Sequence, residues 1–249
     1  MTKPLENLTD IAWSQLQCAY GPADAVPELL GDVASGDPDR QAAALSELWA
    51  NVCHQGTVYN CTPRIVPFLA ALVARDQLRD AIRAELALLL ASIASATSFV
   101  AGQPRRSFVV ASLRSRQDPA PDTELDETCR QALAATSDTF DVPLAAGPPA
   151  TQSGLVAVAA TIAASLSPAA KDTIANLSHS DDVYLANAAQ LTLAIASEDP
   201  VSDADLARHA AVDEEAADYL AHIGDWPAHT QAIELVRELC ERSIARRPG

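Results

Sequence analysis

The sequence predicts an all-α protein, an α-solenoid of stacked antiparallel helix pairs interrupted by an irregular insert near its middle. Three observations lead there. Apolar residues make up 49% of the chain while aromatic residues make up only 4%, and alanine and leucine supply most of the apolar content. Small and straight-chain residues lose little freedom in a helix and let helices approach closely, whereas the aromatic and β-branched residues of a sheet protein are sparse. Second, helix-start signals recur along the chain at Asp37-Pro38, Thr62-Pro63, Ser167-Pro168, Asp181-Asp182 and Ser202. Third, an acidic turn followed by alanine on the next helix appears several times, as stacked helix pairs require.

Taken in order, Thr9 or Asp10 can cap a helix through Ile11, Trp13 and Leu16 that stops at Tyr20-Gly21-Pro22. A second helix runs from Asp24 through Val33, and Asp37-Pro38 opens a third, over 40–53, with Ala44, Leu45, Leu48 and Val52 on one stripe. The turn His54-Gln55-Gly56-Thr57-Val58-Tyr59 precedes a helix from Thr62-Pro63, and 82–93 forms a strongly apolar one. Residues 97–123, with Gly102, four arginines and three prolines, read as the irregular insert. A helix over 124–136 follows, and 142–153, with Gly147-Pro148-Pro149, reads as a mobile loop. From Gly154 the pairing resumes over 155–166, 168–177, 183–196, 203–209, 214–223 and 228–243. The whole of 1–249 is expected to form one such domain.

Seventeen basic against thirty-three acidic residues give a formal net charge of −16. That sign opposes nucleic-acid phosphates and anionic membrane surfaces, and it favours encounter with a basic partner. Cysteines fall at 18, 53, 61, 129 and 240 without CxxC or metal-ligand spacing, so free thiols in a reducing compartment are expected and no metal site. The opening Met-Thr-Lys-Pro-Leu-Glu has no basic segment leading an apolar core, and no apolar run reaches membrane-spanning length, so the expected location is the cytoplasm. No cofactor motif is found: phosphate loops, GxSxG elbows and HExxH helices are all missing from the sequence.

Three segments share one pattern: Asp37-Pro38-Asp39-Arg40 leads to Ala44-Leu45, Asp80-Ala81-Ile82-Arg83 to Ala87-Leu88, and Asp181-Asp182-Val183-Tyr184 to Ala188-Ala189. At these residues the chain resembles the HEAT-repeat superfamily, in particular the short HEAT-like repeats of bacterial proteins. Valine is missing from the first segment, and Tyr184 stands where arginine is usual in the third. The stretch from Trp13-x-x-Leu16 through Ala19-Tyr20-Gly21, Val26-Pro27 and His54–Tyr59 to Val66-Pro67-Phe68-Leu69 also resembles the N-terminal part of actinobacterial HEAT-repeat proteins of unassigned activity. The likeness implies a surface for binding other macromolecules and leaves the reaction, if any, open.

Helix ends on one side of a solenoid share a surface, so Trp13, Tyr20, Asp24, Trp49, His54, Gln55, Thr57 and Tyr59 are the candidate partner- or ligand-binding residues. Arg105 and Arg106 of the insert join them, because a guanidinium fork suits a phosphate or carboxylate. The bland alternative for His54–Tyr59 is a structural turn in which Gly56 supplies a positive φ. Cys53 and His54 cannot face each other on a helix, though Cys61 could approach His54 across the turn. His179, Asp181 and Asp182 read as capping residues, and the group around Trp226 as a packed turn. The leading expectation is a protein-binding module presenting a concave acidic face to a basic or mixed partner, as an adaptor or an immunity-type protein would. The rival is a small-molecule binder or enzyme using a groove at His54 and Tyr59.

Overall fold

Residues 5–102, 123–197 and 200–247 are described by the computed structural model. The first expected helix is replaced by two 3₁₀ turns, Leu8–Asp10 and Trp13–Gln15, and a hairpin of β1 (Gln17–Cys18) and β2 (Gly21–Pro22). The cause is local. Asn7 enters the first turn at a left-handed φ of 72°, neither turn has a side-chain cap, and Gly21 at φ 137° folds the chain back instead of ending a helix.

A short 3₁₀ turn (Ala23–Ala25) leads to α1 (Val26–Val33) and α2 (Pro38–Val52). Asp37 caps α2 as expected, its carboxylate accepting from the backbone N–H groups of Asp39 at 3.0 Å and Arg40 at 3.3 Å. A second hairpin, β3 (Cys53–His54) and β4 (Thr57–Val58), joins α2 to α3 (Thr62–Val73). The next helix, α4, spans Asp80–Gly102, so the expected insert over 97–123 begins as helix. Positions 103–122, including Arg105, Arg106, Arg114 and Arg116, lie outside the described residues.

The chain resumes with α5 (Thr123–Ala134), a 3₁₀ turn at Ser137–Phe140, α6 (Asp141–Ala146) and α7 (Pro149–Thr161). This corrects the loop expected over 142–153. Pro149 occupies the first turn of α7, where its missing N–H removes no helical bond, and Gly147 merely separates two helices. Pro143, Leu144, Ala150, Thr151 and Ser153 are buried, so the stretch is part of the packed body. Then come α8 (Pro168–Leu177), α9 (Val183–Ile195), α10 (Asp203–Ala210), α11 (Glu214–His222) and α12 (Ala228–Ala245). Ser167, Asp182 and Ser202 cap α8, α9 and α10, the last in a capping box with Asp205.

Packing runs α1 on α2, α3 on α4, α4 on α7, α7 on α9 and α8 on α9, with α5 against both α3 and α4. The last helix, α12, packs on α9, α7 and α4 together. Its Ile233, Leu235, Val236, Leu239 and Cys240 are buried with those of the inner helices, including Leu86, Leu89, Leu155 and Val156. Being covered on several sides, α12 has to pair its charges. Arg237 bridges Glu234 and Glu241, and Arg242 bridges Glu238, Asp213 and Glu215. No helix among the described residues is long and apolar enough to cross a membrane.

Candidate functional site

The two hairpins meet beside the start of α3. In β3–β4 the turn residues Gln55 and Gly56 have φ values of 50° and 75°, the paired left-handed geometry of a two-residue hairpin turn. Glycine supplies the second at no steric cost, while Gln55 takes the strained position. In β1–β2 the turn is Ala19-Tyr20. Backbone and side-chain bonds hold the first hairpin onto the second region. The Ala19 N–H donates to the Asn51 carbonyl at 2.9 Å, the Gln17 N–H to Asn60 Oδ1 at 2.6 Å, and the Cys61 N–H to the Gln17 carbonyl at 3.3 Å.

That clamp sets Tyr20 against His54. Their rings stand edge to face with centroids 5.2 Å apart, and the Tyr20 hydroxyl lies 3.2 Å from Nδ1 and 3.3 Å from Nε2. The hydroxyl can donate to whichever nitrogen carries no proton. Tyr20 is 70% exposed, so most of its ring faces outward. Gln55, Thr57 and Asp24 are exposed nearby in sequence, and Trp49 and Tyr59 are half-buried against the core. Tyr59 keeps its phenol protonated, because burial raises its pKa and the neighbouring Cys53, Tyr20, Cys61 and Cys18 would oppose a charge there. Its backbone is fixed by Thr62, whose hydroxyl accepts from the Tyr59 N–H at 2.9 Å and donates to the Val52 carbonyl at 2.7 Å.

Trp13 does not join this patch. It is buried, its indole N–H donates to the Leu8 carbonyl at 2.8 Å, and its ring packs 6.4 Å from that of Phe68. Its large apolar ring is worth more to the core than to a surface. Arg105 and Arg106 lie outside the described residues. Cys61 does not pair with His54 either; its sulfur lies 2.8 Å from that of Cys18. Burial pushes the Cys53 thiol up to about 12, which leaves it a protonated apolar group at neutral pH. Among the described residues no three His, Cys, Asp or Glu side chains are grouped to hold a metal ion.

Hollows among the described residues include two away from the patch. A small, partly open hollow of about 10 Å³ between Phe140, Leu144, Leu155 and Ala170 has room for about one water. An open groove of about 390 Å³ runs between α10 and α11, lined mostly by alanine and leucine with Asp203 and Gln231 at its edges. Neither includes a candidate residue of the hairpin patch.

Two juxtapositions escaped the sequence reading. Asp80 was expected to shape its own turn, yet its carboxylate reaches α7 and accepts from the N–H groups of Ala150 at 3.1 Å and Thr151 at 2.7 Å. Asp182 caps α9 through one oxygen and with the other accepts from Ser243 and Arg247 of the α12 end, both at 2.6 Å. Neither partner has a sequence signal, since the bonds span 61 to 71 residues. Comparison with known proteins finds no match among family models, curated proteins or solved structures.

Proposed function

We propose that this chain is a protein-binding module of stacked HEAT-like helix pairs, in which the hairpin patch of Tyr20 and His54 meets a basic or mixed-charge partner. The observation that carries this reading is the 70% exposure of Tyr20 on a clamped hairpin. A tyrosine offers a large amphipathic contact with two torsions to order, and the His54 ring already restrains it, so little freedom is lost on binding. The patch belongs to a chain of net charge −16, which would draw a basic surface towards it over a Debye length. The repeat reading draws support from the Asp37 and Asp182 caps and from the order α4, α7, α9 in the packing. Because α12 lies across α4, α7 and α9, we assign the contact to the hairpin side and not to the helix faces beneath α12. Its five free cysteines suit a reducing compartment, in keeping with a cytoplasmic adaptor or immunity-type role.

The test uses the wild-type protein and Tyr20→Ala as baits in the native host, followed by calorimetry with the purified partner. A partner whose affinity drops about tenfold or more with Tyr20→Ala, and falls as salt rises, is the expected result. Recovery of no partner, or equal affinity for both baits, overturns the assignment.

A further inference from the structure

Cys18 and Cys61 are 43 residues apart in the chain, yet their sulfurs lie 2.8 Å apart in a buried contact. Packed heavy atoms that merely touch stand roughly 3.5–4 Å apart, so this pair is closer than inert packing requires. Both thiols are free. The backbone on each side of the contact is already tied, by the Cys61 N–H on the Gln17 carbonyl and the Gln17 N–H on Asn60. A disulfide needs sulfurs at about 2.05 Å, a further approach of less than about 1 Å that side-chain rotation can supply.

The two sulfurs are not equivalent. Cys18 sits on a surface hairpin and keeps 7% of its area exposed, while Cys61 has none. The hydrogen bond from Cys61 draws the Cys18 thiol below its usual range, against the opposing effect of burial. The same bond, together with burial, pushes Cys61 up. A lowered, more accessible thiol beside a protonated neighbour is the arrangement of an attacking and a resolving cysteine.

We propose that Cys18 and Cys61 are a modification site for hydroperoxides, forming a reversible disulfide that locks the Tyr20 hairpin onto the start of α3. In the first step the Cys18 thiolate attacks one oxygen of hydrogen peroxide. An S–O bond forms, the O–O bond breaks, and the hydroxide released takes up a proton as water. The Cys61 sulfur then attacks the Cys18 sulfur; the S–S bond forms, the S–O bond breaks, and the departing hydroxide leaves as water with the Cys61 proton. Two thiols lose two electrons, and one peroxide is reduced to two waters. A dithiol reductant reverses the bridge by exchange. The inference is independent of whether the hairpin binds a partner.

The experiment treats the full chain with a few equivalents of hydrogen peroxide, alkylates it under denaturing conditions and maps the peptides by mass. The expected result is a fall from five free thiols to three, a Cys18–Cys61 linked peptide, and full recovery of five with dithiothreitol. The closed loop should also raise the melting temperature of the oxidised protein by roughly 5–10 °C. In Cys61→Ser the reaction should stop at a Cys18 sulfenic acid that dimedone traps. Five alkylatable thiols after peroxide, or links that join other cysteines in equal yield, overturn the proposal on the wild-type protein alone.

Discussion

Gly154 of α7 lies so close to Ala87 of α4 that a Cβ built on the glycine would stand 2.8 Å from the Ala87 Cβ and 2.8 Å from the Ala84 carbonyl oxygen. Real Cβ atoms do not come so near, and the oxygen belongs to a helix backbone that cannot simply rotate away. The acidic-turn-to-alanine pattern anticipated a small residue at 87 for close helix packing. The partner that makes the approach possible is the glycine opposite.

Gly154→Ala therefore puts two effects against each other. Alanine favours a helix interior by about 1 kcal/mol over glycine. Here, however, it must push α4 and α7 apart, and overpacking of a tight core costs about 1–3 kcal/mol, which offsets or exceeds that gain. We expect a net loss of stability, read as a lower denaturation midpoint with an unchanged slope. A stabilised variant would mean the helices slide apart freely.

Asp80 acts as a cap for a helix other than its own. Residue 148 at the N-cap of α7 is proline, whose side chain cannot accept a bond, so Asp80 takes the N–H groups of Ala150 and Thr151 and the Thr151 hydroxyl at 2.6 Å. Removing the carboxylate leaves these donors without it, and Thr151 is fully buried. Asp80→Ala should cost about 1–3 kcal/mol in urea denaturation, and Asp80→Asn less, because one amide oxygen still accepts. Equal midpoints for Asp80→Ala and wild type would exclude the cap.

What the sequence disclosed follows from the range of each interaction. Asp37, Ser167, Asp182 and Ser202 were legible because a cap bond closes within three residues. The β1–β2 hairpin was not, since strands of two residues carry no periodicity and the Gly21 stop signal fits a hairpin as well as a helix end; of β3–β4 only the turn was legible, through the positive φ expected at Gly56, which stands at 75°. Gly154 read as a boundary because glycine is a poor helix former, although helix crossing demands it mid-helix. Trp13 read as a surface aromatic, and only its contact with Phe68, 55 positions along the chain, places it in the core. Of the candidate patch, Tyr20 and His54 are brought together; the contact needed the Asn51, Asn60 and Gln17 clamp, which no local pattern announces.

Tyr20 and His54 should be nearly neutral for folding. A pair this exposed gives less than a buried aromatic pair, whose packing is worth about 0.5–1.5 kcal/mol. Tyr20→Ala and His54→Ala are each expected to change stability by less than about 1 kcal/mol, with the helical circular-dichroism signal unchanged. A loss above about 2 kcal/mol for either would make the pair a structural fastening.

His209 gives the fold an acid-sensitive point. The ring on α10 is 2% exposed, its Nδ1–H donates to Asn187 Oδ1 at 2.9 Å, and its Nε2 accepts from the Arg208 guanidinium at 3.2 Å. Both contacts suit the neutral imidazole, because an added proton on Nε2 would face another cation. Burial is the main cause that holds its pKa below 6.5, the Arg208 charge adds to it, and Asp205 opposes it. With the folded pKa depressed, the unfolded chain binds the proton first as pH falls. The contribution of His209 is thus complete above about pH 6.5 and is lost as acidity approaches the lower folded value. His209→Gln, which can still donate to Asn187, should flatten the decline of melting temperature between about pH 6.5 and 5. At neutral pH it should lose about 1 kcal/mol, the worth of an imperfectly replaced hydrogen bond. Melting curves for both proteins across this range decide it: parallel slopes would show that the proton is taken up elsewhere, whereas convergence of the two towards acid pH places it on this ring.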